Sequence, residues 1–133
     1  MAYQKKYEAY KTNSVNTASG GELTLMLYNG CIKFIKKAVT DLHNKDYEAK
    51  NTNIKKAQDI IHELMLTLDQ TIDISKEMLP LYDYILHCLR EGNVKNSEEH
   101  LQEALSFTTE FRDTWKQVLL QTRQKQYAQG ARV

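Results

Sequence analysis

Apolar residues recur along this chain at intervals of three and four and nowhere in a sustained alternation of two, so the pattern predicts helices and no strand. The first amphipathic stretch opens at Ser19-Gly20-Gly21-Glu22. This spacing is that of a capping box, in which Ser19 accepts the Glu22 amide and the Glu22 side chain reaches back. It predicts a helix from about Gly20 to His43. Asn44-Lys45-Asp46 supplies a break and an N-cap candidate, and Ile54, Ala57, Ile61, Leu64 and Leu68 predict a second helix ending near Asp69. After a connector from Asp69 to Ser75, Ser75 and Glu77 open a third helix. Its Pro80 is expected in or near the first turn, where a missing N–H is tolerated, and Gly92 is expected to mark its end. Asn96-Ser97-Glu98-Glu99 starts a fourth, with Leu101, Ala104, Leu105, Thr108, Phe111, Trp115, Val118 and Leu119 along one side, fading after about Gln124.

Four such helices on short connectors are most simply packed as an all-α, antiparallel up-down four-helix bundle, with a long-crossover topology left open. The expected divisions are an arm over residues 1–18, the bundle over 19–125 and a frayed tail over 126–133. Tyr3, Tyr7 and Tyr10 lie along one face of a helix, so the arm is expected to be conditionally ordered as a short cap.

The width of the apolar faces changes the picture. A bundle helix needs a stripe a little over about 100° wide, whereas the apolar residues of the first and third helices fan across roughly 200°. Central helices touching two neighbours account for this as well as a binding surface does. The arm offers two readings also, a permanently docked segment or a displaceable cover. The partner-binding reading places the groove and its cover at Tyr7, Tyr10, Leu23, Leu25, Leu27, Tyr28, Ile32, Leu79, Tyr82 and Leu86.

Composition removes rivals. At 133 residues one core is expected, and eighteen Lys plus Arg against seventeen Asp plus Glu leave a charge of +1, too balanced for nucleic-acid or anionic-membrane binding. No segment approaches the roughly 20 apolar residues of a membrane span, and Lys5 and Lys6 precede no apolar run, so the chain reads as soluble and unexported. Cys31 and Cys88 fall within apolar helical patterns, which favours free thiols in a reducing compartment over a disulfide. A di-iron bundle needs two inward Glu-x-x-His motifs, and the nearest string, Asp59-Ile60-Ile61-His62, has both charged ends on the expected solvent side. His43, His62, His87 and His100 lie on four different helices without ligand spacing. Phosphate loop, nucleophile elbow and calcium loop are absent too, so neither an enzyme nor a metal or other cofactor is expected. Gly30, mid-helix, marks a close approach in the core or at a partner.

Several strings together resemble the flagellar secretion chaperones of the FliS type. These are Tyr7-Glu8-Ala9-Tyr10 with Asn13-Ser14-Val15, Gly21-Glu22-Leu23-Thr24-Leu25-Met26-Leu27-Tyr28-Asn29-Gly30, Leu81-Tyr82-Asp83-Tyr84-Ile85, Asn93-Val94-Lys95-Asn96, and Phe111-Arg112-Asp113-Thr114-Trp115-Lys116-Gln117. The resemblance covers nearly the whole chain in order; Gly20 stands where the family more often has Pro. It implies a cytoplasmic export chaperone that binds the C-terminal segment of flagellin, blocks premature polymerisation and delivers the subunit to the flagellar type III export gate. It also implies that Tyr7 and Tyr10 lie over a groove in the free state. A self-associating structural bundle, a homodimer for example, is the alternative.

Deletion of residues 1–18 is expected to leave the helical circular-dichroism signal intact while increasing self-association in sedimentation. Loss of the helical signal would instead place the arm in the core.

Overall fold

The structure, a computed structural model, describes residues 20–68 and 73–131, so Tyr7, Tyr10 and the rest of the arm lie outside the described residues. Four helices form in chain order: α1 (Gly20–His43), α2 (Tyr47–Leu66), α3 (Asp73–Val94) and α4 (Glu98–Ala131). Each packs against its neighbours in the chain, and α4 returns to α1, closing a ring of four. The direction is antiparallel: Trp115 Nε1 on α4 donates to the Gly21 carbonyl at the start of α1 at 2.8 Å, while His43 at the end of α1 meets Glu98 at the start of α4 at 2.9 Å. The all-α bundle of the sequence reading is therefore the fold observed.

The core is a continuous column of aliphatic side chains, including Ile35, Ile54, Ile61, Leu64, Ile85, Leu89 and Leu101, all fully buried. Asp46 is the N-cap of α2, its Oδ1 accepting the Ala49 amide at 3.2 Å. The turns α1–α2 and α3–α4 share one device. Lys45 (φ 58°) and Asn96 (φ 50°) adopt the left-handed conformation that ends a helix, and the following amides reach back, Asp46 N–H to the Asp41 carbonyl (2.9 Å) and Ser97 N–H to the Gly92 carbonyl (3.0 Å).

That device corrects the expected end of the third helix. Gly92 does not terminate α3, which continues to Val94, because Asn96 supplies the left-handed residue. Gly92 is instead a packing residue: a Cβ there would lie 2.6 Å from Leu101 Cδ2 and 2.8 Å from its Cγ. Gly30 similarly faces Ile60 of α2, whose Cδ1 would sit 3.3 Å from an added Cβ, so the close approach belongs to the core. Pro80 is also displaced from its expected place. Since α3 begins at Asp73, Pro80 lies inside the helix, exposed, where the carbonyl it leaves without an intrahelical donor belongs to the solvent-exposed Lys76.

The fourth helix is longer than its apolar stripe. It holds 34 residues against 24, 20 and 22 in the others, so at about 1.5 Å per residue it overshoots its neighbours by some 15 Å. Helix-favouring Gln, Lys and Arg after Leu120 carry it on.

Replacing Gly92 with Ala is expected to destabilise the bundle by about 1–2 kcal/mol, because the overpacking against Leu101 exceeds the helix-propensity gain. Thermal denaturation checks this, with Gly20→Ala, where nothing lies within 4 Å of the added Cβ, as the neutral control.

Candidate partner-binding surface

Of the residues expected to line the groove, Leu23, Leu27, Tyr28, Ile32 and Tyr82 are buried within the bundle, and Leu25, Leu79 and Leu86 are half-buried at its surface. The structure does not bring the last three into one groove. Leu25 stands on α1 and Leu79 and Leu86 on α3, the diagonal helices of the ring, which share no helix–helix interface. They mark two separate apolar strips.

The diagonal is crossed by a hydrogen bond. The Tyr28 and Tyr82 hydroxyls lie 2.5 Å apart in the core, and burial raises the pKa of both phenols, so both stay protonated. The edge of one ring meets the face of the other where Tyr82 touches Phe111, with centroids at 6.0 Å and planes at 84°.

From Phe111 an aromatic ridge continues outward along α3 and α4. Phe107 lies 6.5 Å from Phe111 and 5.3 Å from Tyr84, whose hydroxyl donates to Glu103 Oε1 at 2.6 Å. Tyr84 and Leu81 are each 38% exposed, and Val118 and Leu120 on the overshooting part of α4 are 42% and 44% exposed. The α3–α4 seam thus carries apolar surface that the bundle leaves uncovered. Sequence reasoning did not select this seam, although Phe107, Phe111 and Trp115 are spaced i, i+4, i+8, as along one helix face.

Cys31 and Cys88 are free and buried. Burial pushes the Cys31 thiol up to about 12 and also raises Cys88, so neither is a thiolate near neutral pH. Asp59 and His62 are exposed, His43 pairs with Glu98, and His100 Nδ1 lies 2.7 Å from Ser97 Oγ. Among the described residues no three His, Cys, Asp or Glu side chains converge as metal ligands, and no helix is long and apolar enough to cross a membrane.

Comparison with known proteins gives one consistent result. Residues 3–122 match the family model described as flagellar protein FliS. The chain is 48% identical over 130 residues, 98% of each protein, to the flagellar secretion chaperone FliS of Bacillus subtilis. It is 28% identical to that of Campylobacter jejuni over 84% of this chain and 89% of the relative, and 25% identical to that of Escherichia coli over 81% and 82%.

The tyrosine pair makes a non-additive prediction. Tyr28→Phe or Tyr82→Phe alone strands a buried hydroxyl and is expected to cost about 1–3 kcal/mol, whereas the double substitution removes both partners and should cost less than the sum. Additive losses in chemical denaturation would show that the hydroxyls do not act as a pair. Because the folded chain holds both phenols above their ordinary value of 10.0, the stabilisation is fully present below that pH. It is lost as alkali ionises the unfolded state first.

Proposed function

Because the chain belongs to the FliS family of flagellar proteins, we propose that it is a flagellar secretion chaperone whose client is the C-terminal segment of flagellin. It holds that segment in the cytoplasm, prevents premature polymerisation and hands the subunit to the type III export gate. The observation that carries the client-binding mode is the placement of half-buried and exposed apolar residues on diagonal helices: Leu25 on α1, and Leu79, Leu81, Tyr84 and Leu86 on α3. An occupant touching both strips has to pass around the bundle. An initially unstructured segment does so, ordering in pieces as it goes, and the entropy of that ordering offsets part of the buried area. Binding of this kind is strong in sum yet divisible, which suits a client that must be released. Tyr7 and Tyr10 serve as the cover that the client displaces.

Titration calorimetry with a flagellin C-terminal peptide tests this reading, and absence of heat at micromolar concentrations would sink it. Leu86→Glu and Tyr10→Ala are expected to shift the affinity by about tenfold or more, roughly 1.4 kcal/mol, while changing the melting temperature little. Because the client displaces the cover, Tyr10→Ala should tighten binding, whereas Leu86→Glu should weaken it. Equal loss of affinity and stability would return both residues to the fold.

A further inference from the structure

We propose that the outer face of α1 is a second docking surface, built for an acidic helical segment of a partner protein. Lys33, Lys36 and Lys37 project there at the i, i+3, i+4 spacing of a single face, all exposed, and line a shallow concavity of about 590 Å³ with Asn29, Ile32, Thr40, Asp41 and Asn53. Lys56 of α2 joins them, because Lys37 and Lys56 both lie over the Phe34 ring, at 5.8 and 5.4 Å from its centroid.

An ordinary solvated helix face mixes charges of both signs. This one is strongly one-sided, with three lysines against the single carboxylate of Asp41, and α1 holds no acidic residue between Glu22 and Asp41. Glu22 is engaged elsewhere, with Arg123, and Asp41, at one end of the concavity, already accepts from the Asn53 amide at 2.6 Å. Like charges at i, i+4 work against the helix that carries them, so the arrangement does nothing for the fold. Cation–π contact holds two of the four ammonium groups in place before any partner arrives. Ile32, buried in the bundle, borders this concavity from below, and the apolar stems of the lysines supply the rest of an apolar lining under a cationic rim. That combination fits an amphipathic helix with carboxylates flanking an apolar residue. The arm is a poor occupant, since residues 1–19 carry three lysines against one glutamate. Nucleic acid fits less well, as the cationic track is short and the chain's net charge is only +1. The proposal does not depend on the identity of the client.

The test uses the full chain and a labelled designed helix of about 20 residues with glutamates at i, i+4 around one leucine. Fluorescence anisotropy is expected to show saturable 1:1 binding that weakens with salt. It should weaken by about tenfold or more on combined Lys33→Glu, Lys36→Glu and Lys37→Glu substitution, and to an intermediate extent with Gln at the three positions. Leu86→Glu should leave it unchanged, which separates this surface from the client strips. Carbodiimide cross-linking should join the peptide carboxylates to Lys33, Lys36 or Lys37. Binding indifferent to the triple substitution would overturn the proposal, as would cross-links confined to other lysines. So would equally tight binding of a single-stranded RNA, or a self-association that the triple substitution abolishes.

Discussion

The hydrogen bond between Tyr28 and Tyr82 is the contact that joins the two diagonal helices of the ring across the core. Helices α1 and α3 are diagonal in the ring and do not pack on each other, so the packing of adjacent helices sets their relative height only indirectly, through α2 and α4. A 2.5 Å hydroxyl pair in the interior ties the two helices directly, because a shift strands two buried polar atoms at once. The bond also lies where the core column meets the aromatic ridge, through the edge-to-face contact of Tyr82 with Phe111. It is therefore the point at which the rigid interior and the uncovered α3–α4 seam are joined.

The two ends of the bundle are built differently. At the end containing the turns α1–α2 and α3–α4, both turns close with the same left-handed residue and back-reaching amide. Lys50 is buried there without a carboxylate, its Nζ donating to the Asn93 carbonyl at 2.9 Å and to Asn96 Oδ1. Burial lowers the pKa of that amine, so its charge is a cost that the two acceptors offset. Asn93 also donates to Asn51 at 2.7 Å, tying the start of α2 to the end of α3. The opposite end has no comparable network among its described residues. It exposes Leu66, Leu81, Val118 and Leu120 and relies on Trp115 and Arg123 to hold α4 against α1.

Most of the fold was legible in the sequence because helix limits depend on local chemistry. The span Gly20 to His43 follows from periodicity and the Asp46 cap from its side chain, the Ser19 cap lying outside the described residues, and the bundle follows from four such helices on short links. Two boundaries were not legible, for separate reasons. Gly92 carries the usual mark of a helix end, but Asn93-Val94-Lys95-Asn96 provides another left-handed residue four positions later, and only packing against Leu101 reveals why glycine stands there. The length of α4 was hidden because an apolar stripe reports where a helix is buried rather than where it stops. The candidate site was legible only as a surplus. A wheel ranks Tyr28 and Leu25 alike as apolar, whereas the structure separates them by the partner that each finds: Tyr82 across the core for Tyr28, and partial solvent exposure for Leu25.

That separation bears on how a bundle of this size can bind without coming apart. Opening the ring to expose Leu27, Tyr28 or Tyr82 would break the diagonal hydrogen bond and empty the core, a cost comparable with the whole stability of a domain this small. A partner that uses only the half-buried strips and the aromatic ridge avoids that cost, since those residues already have one face in water. The surplus apolar width of α1 and α3 therefore divides into two functions along each helix. The inner part fixes register, and the outer part is available to a partner while the register holds.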